Sequence, residues 1–175
     1  MTTNRRSVAS SPMLTREAVR RLVLAWLLTA VIDGLFSSVL SAQFYGSTVT
    51  QLWQRVASVL LGAKAFEGGR SSAMLGILMH FGVALGWSTA FLVLFTRLRR
   101  VRSAVASSHG ILKVAALYGP FIWLMMSLAI IPLLTQRPPT INYRWWVQLF
   151  GHIPFVALPI VASIGRRWTP AAEAA

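Results

Sequence analysis

Apolar residues dominate four stretches of the chain, 22–42, 73–95, 114–134 and 146–165, each about twenty residues long and nearly free of charge. At about 1.5 Å rise per residue, each reaches about 30 Å as a helix, the thickness of the hydrocarbon layer of a bilayer. Inside lipid every backbone N–H and C=O needs an internal partner, and a continuous helix provides it. The ten-residue alternating pattern of barrel strands is nowhere visible in the sequence. The pattern predicts an all-α fold, a four-helix transmembrane bundle. Between the first two spans, Val49, Leu52, Trp53, Val56, Leu60 and Ala63 recur at helical spacing, while Gln51, Gln54, Arg55 and Ser58 take the other face. That spacing predicts an amphipathic interfacial helix over 49–64, lying flat on the outer membrane surface. A lid over the spans and a plain connector covering helix ends both fit such a helix, and the connector is the simpler reading.

The resulting organisation is a basic N-terminal tail over 1–20, a transmembrane domain over 21–167 and a C-terminal tail over 168–175, with both tails read as mobile. Gly68-Gly69 breaks the chain before the second span. Gly119-Pro120 predicts a kink near 116–120, because proline removes a helical hydrogen bond, and Pro132 predicts a bend or an end at the outer tip of the third span. The link 97–110, rich in Arg and Ser, needs no role beyond holding orientation. Pro138-Pro139 stiffens the loop 136–142, and Tyr143, Trp145 and Trp146 after it read as an interfacial aromatic belt. No internal repeat is evident.

Composition supports the membrane assignment. Of 175 residues 55% are hydrophobic and 12% charged, against roughly 25% charged in soluble domains. Cysteine is absent, which removes disulfides and thiolate metal sites. A net charge of +13 raises the question of nucleic acid, and the placement of the charges answers it. Arg5, Arg6, Arg16, Arg20 and Arg21 precede the first span, Arg97, Arg99, Arg100, Arg102 and Lys113 lie between or beside the second and third, and Arg166 and Arg167 close the fourth. The opposite side holds only Arg55, Lys64, Arg70, Arg137 and Arg144. The positive-inside rule puts the richer side, with both termini, in the cytoplasm. Attraction to anionic lipid headgroups explains the same cations without specific nucleic-acid binding. A cleaved signal peptide fits poorly: the basic region is too long, Asp33 interrupts the apolar run, and Leu40-Ser41-Ala42 is a poor cleavage site.

Asp33 is the most informative residue, since a carboxyl group inside a span is costly and normally faces a bundle interior, a partner or water. It shares a face with Ala30, Gly34, Ser37, Ser38 and Ser41, all small, which allows close helix approach. On the second span Gly76, His80, Ala84 and Ser88 recur every four residues, with Gly82 and Gly86 on a neighbouring face; on the fourth, Gln148, His152, Pro159 and Ser163 form a comparable stripe. From the helix rise, Asp33 lies about 15 Å, His80 about 10–12 Å and His152 about 10 Å from the outer ends of their spans. The spacing thus predicts a polar intramembrane centre of Asp33, His80 and His152, with Ser37, Ser88, Gln148 and Tyr118 as supporting candidates. A structural network that fixes helix register is the simplest role; a proton-linked or substrate site is second. A metal held by His80, His152 and Asp33 is the weakest, because the spacing is not diagnostic. No cofactor is implied. Trp87, Trp123 and Met125-Met126 read as packing or lipid contacts. Phosphate-binding glycine loops, HExxH and GxSxG are missing from the sequence, so the balance leans away from an enzyme.

The stretches GILMHFGVALGWSTAF (76–91), YGPFIWLMMSLAIIPLL (118–134) and GHIPFVALPIVASIGRR (151–167) resemble a broad group of bacterial inner-membrane proteins, closest to the YagU-like type. Its pattern is matched at Gly76 and His80, Tyr118 and Gly119, Pro132 and Leu133, and Gly151 and His152. The chain departs from it at the end of the last span, where Ile164-Gly165 precede Arg166-Arg167 and an acidic residue of some members is missing. The resemblance covers about residues 70–167 and implies a bacterial inner membrane, the four-span topology and the two histidines, without a mechanism. The sequence therefore favours a non-enzymatic membrane component or accessory protein. The alternative is a small proton-coupled transporter or permeation unit using Asp33 and the histidines, for which a homodimer would supply the walls of a pathway; an intramembrane metalloenzyme ranks below it.

Overall fold

The computed structural model describes the backbone of residues 12–166 and the side chains of 16–166. The tails at 1–11 and 167–175, with Arg5, Arg6 and Arg167, lie outside the described residues. Among the described residues every regular element is a helix and no strand is present. Four segments are long and apolar enough to cross a membrane: Arg16–Phe44, Gly69–Arg97, Gly110–Thr135 and Tyr143–Gly165. The first three outrun their apolar stretches at both ends, and the fourth begins earlier, at Tyr143.

Span 1 is α1 (Pro12–Val39) with a π-helical extension, Leu40–Phe44. Helix α2 (Val49–Leu61) follows and passes into a 3-10 turn, Gly62–Phe66. Its start is fixed chemically: the Thr48 hydroxyl accepts from the Gln51 backbone N–H while the Gln51 side chain accepts from the Thr48 N–H, closing a capping box. Span 2 is α3 (Gly69–Arg97). Span 3 is α5 (Gly110–Leu124), a π-helical stretch Met125–Ile130, and α6 (Ile131–Thr135). Span 4 is α7 (Tyr143–His152), a π-helical stretch Ile153–Ala157, and α8 (Leu158–Gly165). Asn142 caps α7, its side chain accepting from the N–H groups of Arg144 and Trp145.

Helix α5 runs through Pro120 unbroken, and the irregularity of span 3 falls further along, at Met125–Ile130, ahead of Pro132. Pro154 likewise sits in the π stretch of span 4. A proline cannot donate to the carbonyl one turn back, and a widened turn accommodates the missing bond. The link between spans 2 and 3, expected as a simple loop, contains α4 (Arg99–Ala106). It buries Val105 and places the Arg102 guanidinium on the carbonyls of Phe95 (3.1 Å) and Thr96 (2.8 Å), the C-terminal end of α3. Arg21 acts similarly on span 4, donating to the carbonyls of Ile164 (2.8 Å) and Arg166. Both cations sit where the helix dipole is negative.

The core occupies the half of the bundle nearer the termini. Ala25, Phe91, Phe95, Val105, Ala115, Tyr118, Ile122, Ala157, Ile160, Val161 and Ile164 are all buried in one cluster. Span 4 is the most enclosed, with half of its apolar window buried against 17–28% for the others. Two glycines set how closely the helices meet. A Cβ at Gly76 would collide with the Trp53 carbonyl, so α2 lies directly against the backbone of α3. A Cβ at Gly119 would lie 2.6 Å from the His152 carbonyl oxygen, so spans 3 and 4 cross backbone to backbone at that level.

Candidate functional site

The other half of the bundle is hollow. A cavity of about 1070 Å³ opens between the spans, lined by α2, by the halves of spans 1 and 2 away from the termini, and by the π-helical turns of spans 3 and 4. Asp33, His80 and His152 all border it. Its mouth, at the end away from the termini, carries Tyr45, Arg55, Arg137, Asn142 and Arg144, and its walls are largely aliphatic, with Val59, Val83, Ile122, Met126 and Ile130 among them.

The structure brings Asp33 and His80 together: Asp33 Oδ2 lies 3.9 Å from His80 Nδ1. The other His80 nitrogen, Nε2, is 3.0 Å from the Ala30 carbonyl oxygen. A carbonyl only accepts, so Nε2 carries the proton of that bond. His152 is held in the same way, with Nδ1 donating to the Gln148 carbonyl at 2.7 Å. In their neutral forms the two rings therefore present an acceptor at the remaining nitrogen, Nδ1 of His80 and Nε2 of His152. Asp33 interacts electrostatically with both rings. Its Oδ1 is fully buried and has no hydrogen-bond partner.

The supporting candidates divide. Ser37 and Gln148 border the cavity, and Gln148 supplies the carbonyl that orients His152. Ser88 is completely buried, its hydroxyl lacks a partner, and it lies outside the cavity lining. Tyr118 belongs to the packed half, where its hydroxyl donates to the Trp87 carbonyl (2.8 Å) and its ring meets Trp87, Phe91 and Phe121. Among the described residues no group of three His, Cys, Asp or Glu side chains is placed to hold a metal ion.

Four aromatic residues surround the site: Trp53, Trp123 and Trp145, which the sequence pattern treats as packing or interface, and Tyr45, to which it assigns no role. The Trp53 ring lies 5.2 Å from that of His80, and the Trp123 ring 4.9 Å from that of His152, so each imidazole has an indole beside it. Trp123 Nε1 and Tyr45 OH are buried without partners, and both residues line the cavity with Asp33. Trp145, read from sequence as part of an exposed aromatic belt with Tyr143 and Trp146, is buried; its Nε1 donates to Ser127 Oγ at 3.1 Å. Tyr143 and Trp146 are exposed as that reading requires. Gln54, assigned to the polar face of α2, is buried and donates to the Gly69 carbonyl at 3.1 Å. A helix seated on another protein surface can bury one amide that a helix lying on lipid would turn to water.

Arg144 spans the mouth. Its Nη2 donates to the Tyr45 carbonyl (3.3 Å), its Nε to the Tyr143 hydroxyl (3.0 Å), and its guanidinium lies 4.5 Å from the centre of the Tyr45 ring. It ties the outer end of span 1 to the start of span 4. Comparison with protein-family models, with curated proteins and with solved structures found no match. The chain is a multi-pass membrane protein by its four apolar helices, and its function has to be argued from the cavity.

Proposed function

We propose that this protein is a non-enzymatic component of a bacterial inner membrane that takes a small amphiphilic ligand into the cavity between its spans. The observation that carries the reading is that three of its unpartnered buried polar atoms, Asp33 Oδ1, Tyr45 OH and Trp123 Nε1, belong to residues lining a single cavity with aliphatic walls. Buried polar groups are normally hydrogen-bonded, and leaving one unpaired costs about 1–3 kcal/mol. A few polar groups converging in a mostly apolar concavity of several hundred Å³ is the usual build of a small-molecule site. The resemblance to YagU-like proteins and the surplus of arginines at the end carrying the termini support an orientation with both termini cytoplasmic and the cavity opening to the periplasm. The arginines of α4, close to the ends of spans 2 and 3, suit contact with anionic headgroups.

A proton-coupled transporter is the second reading, favoured by the 3.9 Å approach of Asp33 to His80. Transport would need the packed half to open, and Arg144 and the α2 contact to move.

The test is saturable binding of small amphiphiles to the protein in nanodiscs, followed by tryptophan fluorescence and corrected with empty nanodiscs. Ser37→Phe, which places a ring on the cavity wall one turn from Asp33, should abolish binding while leaving insertion intact. Absence of saturable binding across amphiphiles of either charge and of none would reject the reading.

A further inference from the structure

Resting on that reading, we propose that the cavity selects a protonated amine: an organic cation with an apolar body, whose ammonium group seats at Asp33 between His80 and His152. Three independent features of the cavity floor meet the chemistry of that group. The first is its polarity. The backbone carbonyls of Ala30 and Gln148 each take one imidazole N–H, which leaves His80 Nδ1, beside Asp33 Oδ2, and His152 Nε2 as acceptors. An ammonium offers three donors and no acceptor. A carboxylate or phosphate ligand would put acceptor against acceptor at Asp33 and His80.

The second feature is spacing. Asp33 Oδ2 and His80 Nδ1 are 3.9 Å apart, too far for a direct hydrogen bond. One nitrogen at a hydrogen-bond distance of about 2.8 Å from each could bridge them. Asp33 Oδ1 is buried and unpartnered at the same place. The third feature is the indole of Trp123, which lines the cavity beside His152, and tryptophan faces attract organic cations more than other rings do. The aliphatic walls above, Val59, Val83, Met126 and Ile130, take the apolar body.

The arginines at the mouth do not reverse this selection. Arg144 is engaged with Tyr45 and Tyr143, and Arg55 and Arg137 are exposed, where salt screens charge within about 8 Å. Among the described residues no group of three His, Cys, Asp or Glu side chains is placed to hold a metal ion.

Three probes of one shape decide the matter: 4-phenylbutylamine, 4-phenylbutanol and 4-phenylbutyrate, which at neutral pH are a cation, a neutral molecule and an anion. Each is titrated into the full chain in nanodiscs, with empty nanodiscs as the partition control. The amine should bind at least about tenfold more tightly than the alcohol, a difference of about 1.4 kcal/mol, with the butyrate weakest. Asp33→Asn should erase the preference for the amine, bringing its affinity to that of the alcohol for the same variant. Equal binding of amine and alcohol overturns the cation selection while the cavity reading survives. Tightest binding of the butyrate also overturns it and assigns selection to the arginine mouth. No binding of any probe overturns both. Should Asp33→Asn fail to insert, the ranking of the three probes on the unaltered protein still decides.

Discussion

Asp33 is held in place by what surrounds it more than by direct bonds. It has an imidazole 3.9 Å away and one oxygen without a partner, whereas each imidazole has a firm backbone acceptor. Removing His80 therefore does two things: it breaks an interhelical bond and it strands an acid. His80→Leu should lower thermal stability in detergent by about 0.6–2 kcal/mol, the range for interhelical hydrogen bonds in membranes. In an Asp33→Asn background the same change should cost less, because no acid is left without its neighbour. A thermal-denaturation series on the wild type, both single variants and the double variant measures the difference, and equal costs in both backgrounds would show that Asp33 and His80 are uncoupled. The acid and both histidines were legible in the sequence, because ionisable groups are rare in spans and a helix rise of 1.5 Å fixes depth from position alone. Trp53 and Trp123 were not, since an indole at helical spacing looks the same whether it meets lipid, a core or an imidazole.

At the scale of the elements, α2 and the π-helical turns give the cavity its shape. Each of the three π stretches contributes to the lining: Ser41 from the first, Met126, Ser127 and Ile130 from the second, Val156 from the third. An extra residue in a helical turn rotates the side chains beyond it, and such turns recur at functional sites. The contact of α2 with α3 depends on Gly76, whose missing side chain admits the Trp53 carbonyl. Gly76→Ala should push α2 away from α3 and destabilise the protein by about 1–3 kcal/mol, the usual cost of overpacking. Gly34→Ala should be tolerated, because a Cβ there meets the Trp53 ring at 3.5 Å and His80 Nε2 at 3.6 Å, ordinary contact distances. Melting temperatures of the two variants side by side test this contrast, and a Gly76→Ala protein as stable as Gly34→Ala would contradict the close approach. The amphipathic pattern of 49–64 announced a helix, and α2 forms over Val49–Leu61 with Trp53 and Ala57 buried and Arg55 exposed. That it presses on α3 rather than resting on lipid alone depends on two small residues of a distant segment, Ser72 and Gly76, and no local pattern expresses that.

The whole molecule divides into a packed half that holds the helices and a hollow half that faces the other side of the membrane. Core residues from all four spans and α4 fill the first; Asp33 and the histidines edge the second. Arg21 and Arg102 tie helix ends at the packed side, so cations at this end also close its helices. A reporter active only in the periplasm should be silent when fused at Ala175 and active when inserted within 136–142. The opposite pattern would invert the bundle and turn the cavity to the cytoplasm.

Length and hydropathy by themselves determined four helices and the depth of every residue along them, because the bilayer fixes how much apolar helix is needed and the backbone fixes how far each residue rises. They also marked Asp33, His80 and His152 as lying at one level. Rotation about each helix axis was left open, since a span surrounded by lipid and protein is apolar on nearly every face and its periodicity is weak. Tertiary packing settled it: the backbone approach at Gly119 placed span 4 against span 3, the π turns redirected the side chains beyond them, and α2 closed on Gly76. Only then did Trp123 and Tyr45 join the acid and the histidines around a single cavity, with Trp53 packed beside His80.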